Sequence, residues 1–400
     1  MIRKLLIFIC MARLSLFAAD WPQFRGPHGN GVSDETDVPA TLSAQSIAWT
    51  ADLPGRGLSS PIVIGDRVFV TCSSGPKQDR LHIFCFNAAD GSKRWERQFW
   101  ATGRTMTQEK TCVAAPTPAS DGRRIFAQFS SNDLICLDLD GNLLWLRALM
   151  RDYPNVSNSI GMSSSPVVVG DTLIVQAETD VESFVAGIDV ATGVNRWKLE
   201  RPRIRNWSSP VVFTDRPGRQ LVVVNGTAGT AALLPATGQL VWSQTNEASN
   251  IASSAPGTGT LFVPARGLVA LQTDSESHAP KELWRTNALS PGTSSPLVLG
   301  DRIITLAGSG KLCCGNAATG ERLWQLQLRG PFSSSPVAAA GKLYTVSERG
   351  LIRIVDITKP EGGKIIGEID LAATILCTPA IARGAIYIRS DSKLWKLVKS

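Results

Sequence analysis

Few side chains in this 400-residue chain are of types and spacings that do chemistry. Its histidines, His28, His82 and His278, lie far apart in unlike contexts, which argues against a histidine metal site. Asp138, Asp140, Gly141 and Asn142 make up part of a calcium loop, but the later ligands, including the distal Glu, are missing, so no metal is expected there. There is no Cys-x-x-Cys-His for haem, no Gly-x-Ser-x-Gly elbow and no glycine-rich phosphate loop. No residue is assigned a catalytic role on these grounds. What remains is a set of polar and aromatic residues in the segments between apolar runs: Arg56, Arg205, Asn206, Trp207, Asn250 and Arg329. Arginines and asparagines gathered around a tryptophan suit an anionic or sugar-like ligand. The same residues also suit a solvated loop surface that binds nothing.

The elements that must position them repeat. Residues 294–324, SSPLVLGDRIITLAGSGKLCCGNAATGERLW, hold an alternating apolar run, a Gly-Asp turn, a second run, a third, a Thr-Gly turn and a closing Trp. Period-two alternation makes each run a strand, and the short breaks with glycine are hairpin turns. A four-stranded sheet of this kind cannot bury both faces alone, so it needs neighbours like itself. They are marked by Pro61, Pro118, Pro166, Pro210, Pro256, Pro296, Pro336 and Pro379, spaced 40 to 57 residues apart and mostly preceded by paired serines. Tryptophans keep the same beat at Trp95, Trp145, Trp197, Trp242, Trp284 and Trp324, and the seventh unit has Ile366 near the corresponding place. This period, with strands and no helical pattern, predicts an all-β, eight-bladed β-propeller of four-stranded antiparallel blades. The last unit has room for only three strands. Residues 47–53, with Trp49 in the pattern of the other fourth strands, are therefore expected to complete it and close the ring.

The endings AADGSKRW (88–95), VATGVNRW (190–197), PATGQLVW (235–242) and AATGERLW (317–324) resemble the tryptophan-docking repeats of quinoprotein alcohol dehydrogenases. Similar repeats occur in other PQQ-binding-like propellers and in the propeller lipoprotein of the outer-membrane β-barrel assembly machinery. The resemblance covers residues 46–398. It implies that Trp49, Trp95, Trp145, Trp197, Trp242, Trp284 and Trp324 dock adjacent blades and do not touch a quinone. Quinoprotein dehydrogenases carry a vicinal disulfide, and Cys313-Cys314 invites comparison. Aligning CGNAATG with CFNAADG and CLDLDG puts Cys314, Cys85 and Cys136 in one third-strand column, where a small apolar residue packs and a free Cys serves as one.

Residues 1–19 read as a secretory signal, with Arg3 and Lys4 ahead of an apolar run and Ala18-Ala19 at its end. Ile9 before Cys10 disfavours lipidation. Residues 20–45, rich in Gly, Pro and Asp, are expected to be an extended capping segment packed on by Trp21 and Phe24, and 46–400 one propeller domain. The formal charge of +7 falls to about +4 when Arg3, Lys4 and Arg13 leave with the signal, which is too mild and scattered for nucleic acid. No other stretch is apolar enough to span a bilayer. The seven cysteines left after cleavage do not reveal their pairing.

The longest connections, 98–118 and 147–166, fall on the inferred channel face, where loops are free to carry function. The reading that follows is a periplasmic or secreted, monomeric, non-catalytic propeller that binds a protein or envelope component. Alternatives are a PQQ-dependent dehydrogenase with calcium, for which Trp207 offers an aromatic but no carboxylate set can be assigned, and a glycan or small-ligand sensor at the channel rim.

Overall fold

The computed structural model describes residues 19–156, 160–245, 247–273 and 279–399. The expected signal, Cys10 and His278 lie outside these residues. The described strands form eight four-stranded sheets, every pairing antiparallel. The first complete blade contains β2 (Ile62–Ile64), β3 (Arg67–Ser74), β4 (Arg80–Asn87) and β5 (Lys93–Trp100), in that order from the channel outward. The strand before them, β1 (Ile47–Asp52), pairs instead with Lys393–Leu397 as the outer strand of the last blade, so the ring closes as expected. Arg389, wholly buried, staples this closure by donating to the Thr71 carbonyl of β3 and to Ser390 O at 2.9 Å. Gly57 leaves it room, since a Cβ there would lie 2.3 Å from the guanidinium.

Each docking tryptophan sits just past a bulge in its outer strand; those of the first six blades lie opposite a small residue of the third strand, whereas Trp49 lies opposite Lys396. Cys85 faces Trp95, Cys136 faces Trp145, Gly187 faces Trp197, Ala232 faces Trp242 and Cys314 faces Trp324. The cysteine column is thus a packing position, and the seven described cysteines are buried and unbonded. The rings reach the next blade: the indole N–H of Trp49 donates to Ala88 O at 3.1 Å, Trp95 to Leu139 O at 3.0 Å, Trp145 to Val190 O at 3.1 Å and Trp197 to Pro235 O at 2.8 Å. Each of these four rings also lies on the glycine of that blade's last turn. At Gly91 (φ +75°) a Cβ would come within 2.6 Å of the Trp49 ring, so backbone and neighbour both demand glycine.

The seventh blade differs from expectation. The register places Gly367, opposite Ile354, level with the tryptophans, and Ile366 falls in the bulge. The reason lies in the ring closure. A docking Trp needs the turn between third and outer strands of the following blade, and the eighth blade has none because its outer strand comes from the N-terminus. The cap segment fills the space instead, with Thr41 and Leu42 backbone atoms 3.3–3.4 Å from where a Cβ on Gly367 would stand.

Candidate functional site

The paired serines that mark each unit build the channel wall. The backbone N–H of Ser60 donates to Thr117 Oγ1 (2.9 Å), Thr117 to Ser165 Oγ (3.0 Å), Ser165 to Ser209 Oγ (2.9 Å) and Ser209 to Ser253 Oγ (2.9 Å). Ser253 donates to Ser295 Oγ (3.0 Å), Ser295 to Ser335 Oγ (2.9 Å) and Ser335 to Thr378 Oγ1 (3.1 Å). From the second blade to the eighth each hydroxyl therefore accepts from the blade before it, and the belt runs around the inner strands. In seven of the eight a proline follows directly, and a residue without an N–H cannot compete for these acceptors; after Ser253 stands Ser254, whose N–H is taken by Asn225 Oδ1 at 3.1 Å. All eight hydroxyl residues line a central cavity of about 670 Å³. Among the described residues none of these eight hydroxyls donates to a protein acceptor, so their protons are free to turn into the cavity.

One end of the channel is closed by the cap. Trp21 makes a two-way backbone bridge with Val63 (2.8 and 2.9 Å), Pro22 O accepts from Ser120 N–H (2.8 Å), Gly31 and Ser33 bridge Ala338 (2.8 Å each), and Ser33 Oγ donates to Ile381 O (3.2 Å). Arg25, only 1% exposed, donates to Ser254 O at 2.9 Å and to Pro296 O. Burial lowers its pKa to about 9. The segment thereby ties six blades together across the channel, and Phe24 forms part of the cavity floor. Trp21 and Arg25 are thus anchors, and Phe24 is the cap side chain that faces the cavity.

The other end is the mouth. Of the six residues singled out in the sequence, Trp207 alone lines the cavity. It is fixed by its indole N–H donating to Gly161 O (2.8 Å) and its backbone N–H to Asn250 O (2.7 Å). Asn250 in turn reaches Arg205 O at 3.4 Å, and the Arg205 guanidinium pairs with Asp180 at 2.6 Å. Asn206 is buried and fully engaged, donating to Glu178 Oε2 (2.8 Å) and Asn225 O (2.7 Å) and accepting from Ser208 N–H (3.1 Å). Arg56 donates to Glu109 O at 2.9 Å and lies 3.5 Å from Asp391. Arg329 is exposed, its carbonyl accepting from Arg353 at 2.9 Å. The structure therefore brings Arg205, Asn206, Trp207 and Asn250 together and leaves Arg56 and Arg329 elsewhere on the rim.

Sequence reasoning missed the belt's bonding and a strap over the mouth. Lys110, from the long loop after the first blade, spans the mouth to Glu348, both carboxylate oxygens at 3.0 Å, and Ser333 Oγ donates to the same carboxylate at 2.6 Å. Around this face stand exposed apolar side chains: Met106 (64%), Ile251 (46%) and Ile204 (40%). Ile251 and Leu58 continue into the cavity wall. Glu109 is the one acidic side chain among the lining residues, and no three His, Cys, Asp or Glu among the described residues are placed to hold a metal ion. Asp138, from the partial calcium motif, instead closes its own turn by accepting from Asp140 and Asn142 N–H at 2.9 and 2.8 Å.

The pattern of the family described as outer membrane protein assembly factor BamB matches residues 40–162, 157–275 and 267–362. A curated relative, the polyvinylalcohol dehydrogenase of Sphingopyxis sp. (strain 113P3), is 27% identical over 207 residues, 49% of this chain and 29% of the relative, so less than a third of that enzyme is spanned. Among solved structures, the quinohemoprotein alcohol dehydrogenase from Comamonas testosteroni superposes with a TM-score of 0.70 at 12% identity, covering 95% of this chain and 80% of that one. BamB from Moraxella catarrhalis superposes at 0.62 with 18% identity, covering 88% and 98%. At such identities these likenesses show the fold alone, and they bear out the quinoprotein-like propeller read from the tryptophan repeats. No helix among the described residues is long and apolar enough to cross a membrane.

Proposed function

This chain belongs to the family described as outer membrane protein assembly factor BamB, and from that premise we propose that it is an exported binding scaffold whose cup takes up a segment of a protein partner in the cell envelope. The observation that carries the reading is the composition of the cup. Eight hydroxyl donors at its wall suit the carbonyl oxygens of an inserted chain, and Met106, Ile204 and Ile251 around the mouth suit apolar side chains beside it. The closed floor makes it a receptacle rather than a passage. The chain acts as a monomer, exported by its N-terminal signal.

The dehydrogenase reading asks for different chemistry. PQQ is a polycarboxylate held with calcium, and calcium takes six to eight oxygen ligands, carboxylates prominent among them. The cup offers neutral hydroxyls, one lining carboxylate (Glu109) and one lining ammonium (Lys110). These residues do not fit that pair of ligands. A small glycan would meet the same hydroxyls, but the exposed apolar rim adds nothing to its recognition.

The test is photocrosslinking in the native envelope, with a benzophenone side chain at Ile251 and, as control, at Leu323 on an outer strand. A discrete adduct from Ile251 and not from Leu323, competed by excess unlabelled chain, is the expected result. Equal labelling from both positions sinks the cup reading. Saturable, calcium-strengthened heat on titrating PQQ into the folded chain would replace it with the dehydrogenase.

A further inference from the structure

Away from the channel, three side chains of the first blade stand as nucleophile, base and orienting acid. In the register of this sheet Ser74 is opposite Arg80, Cys72 is opposite His82, Gln98 is opposite His82 and Glu96 is opposite Phe84. Ser74, His82 and Glu96 therefore share one face, each a diagonal step from the next across β3, β4 and β5. His82 Nε2 lies 2.7 Å from Ser74 Oγ, and Nδ1 lies 2.9 Å from Glu96 Oε1.

The protonation follows from the partners. Burial alone would raise the pKa of Glu96, but hydrogen bonds from Lys93 (2.9 Å), His82 and Gln98 (2.8 Å) outweigh it and bring it to about 2. An ionised carboxylate only accepts, so Nδ1 carries the imidazole proton and Nε2 presents its lone pair to the Ser74 hydroxyl. His82 is 3% exposed and stacked on Phe84 with ring centroids 5.7 Å apart, which fixes its plane.

A buried histidine that merely ties strands together would be sealed on every side. Ser74 is not sealed. It is partly exposed and lines a groove of about 620 Å³ between β1, the outer strand of the last blade, and the first blade. Leu53, Phe84 and Phe86 give the groove apolar wall, and Arg80 and Lys93 bring cations into it. The sequence hides this arrangement because it has no nucleophile elbow; such triads are recognised by geometry and roles, on unrelated folds.

We propose that Ser74, His82 and Glu96 form a serine acyl-transfer site that hydrolyses carboxylic esters with an apolar acyl group. This goes beyond the scaffold role and does not depend on it. Ser74 Oγ bonds to the ester carbonyl carbon while its proton passes to His82 Nε2. The tetrahedral adduct collapses, the carbon–alkoxide bond breaks and the leaving alcohol takes that proton. A water molecule then attacks the acyl-serine, gives its proton to Nε2 and releases the carboxylic acid, and Ser74 Oγ recovers the proton from His82. Arg80, opposite Ser74 in the register, supplies positive charge on the side of the groove where the oxyanion forms. Glu96 is a positioning residue, acting through His82.

The experiment treats the folded mature chain with a fluorophosphonate probe, maps the adduct by mass spectrometry and measures turnover of p-nitrophenyl butyrate. One adduct on Ser74 is expected, absent in Ser74→Ala, with hydrolysis falling to background in that variant and in His82→Gln. Glu96→Gln should lower kcat by about 10²- to 10⁴-fold and displace the acidic limb of the pH–rate profile, a change that a purely structural role would not produce. Wild-type labelling needs no variant to fold. No adduct on Ser74 under conditions that fully label an ordinary serine esterase overturns the proposal, as does undiminished hydrolysis by a folded Ser74→Ala chain.

Discussion

The two ends of the channel are built by opposite means. At the floor, residues 20–33 cross the ring and satisfy buried backbone groups of six blades, with Trp21 wholly buried and Arg25 nearly so. At the mouth, long loops meet through ion pairs whose cations stay open to water, as with Lys110, 65% exposed, and Arg205, 40% exposed. Buried polar groups are costly to leave unpaired, whereas exposed pairs contribute little. The floor is therefore part of the fold, and the mouth is free to rearrange around a partner.

The floor should yield the largest effects. Trp21→Ala removes a wholly buried indole that packs beneath Gly26 and is expected to cost about 3–5 kcal/mol in chemical denaturation. A loss under about 1 kcal/mol would reduce the cap to an appendage and erase the contrast. The ring closure gives a second, smaller test. Gly367→Trp restores the repeat consensus in the seventh blade, yet it should destabilise by about 1–3 kcal/mol, because Thr41 and Leu42 already occupy the space. If that variant were more stable than the parent, the cap would not be what displaced the docking tryptophan. Between the two ends lies the belt. Ser253→Ala leaves the Ser209 N–H without its acceptor and should cost about 1 kcal/mol, read from the denaturation midpoint at unchanged slope.

Much of this was legible in the chain itself. The strands, the turn glycines and the third-strand cysteine column follow from period-two alternation and a 40-odd-residue beat, because these depend on neighbours within one repeat, and the closing strand with Trp49 follows from the one strand that the last unit lacks. What was not legible depends on contacts between repeats or on segments with no period. The serines of the belt were visible as markers, but their partners lie 40 or more residues away. Arg25 stands in an aperiodic stretch, and nothing local reveals that it points into the ring toward Ser254 and Pro296. Ile366 was read in the tryptophan's place by counting residues, and the register of the seventh outer strand puts Gly367 there instead. Ser74, His82 and Glu96 look unrelated until the register of three strands is known, since diagonal neighbours across a sheet leave no signature in sequence spacing. Of the rim residues, Trp207 reached the cavity and Asn206 was consumed by structure, a difference set by whether the side chain found Glu178 nearby.

The smallest effect belongs to the mouth strap, and its smallness is the informative part. Lys110→Ala breaks the reach to Glu348, but the ammonium is exposed, so the expected loss is at most about 0.5 kcal/mol. Burial pushes the Glu348 carboxyl up, and the Ser333 hydroxyl and the Lys110 ammonium outweigh it, so its pKa lies below the ordinary value. A carboxylate whose folded pKa is depressed stabilises the fold above the ordinary carboxylate range and loses that contribution as pH falls through the lowered value. Whatever difference separates parent and Lys110→Ala at neutral pH should therefore vanish once Glu348 is protonated in both. Hydrogen exchange gives the sharper reading: amides of residues 104–111 should exchange faster in the variant at neutral pH, while those of Trp21 and Ser33 at the floor stay as protected as before. Faster exchange at both ends would mean that the strap and the cap act as one unit, and the division between a fixed floor and an adaptable mouth would have to be given up.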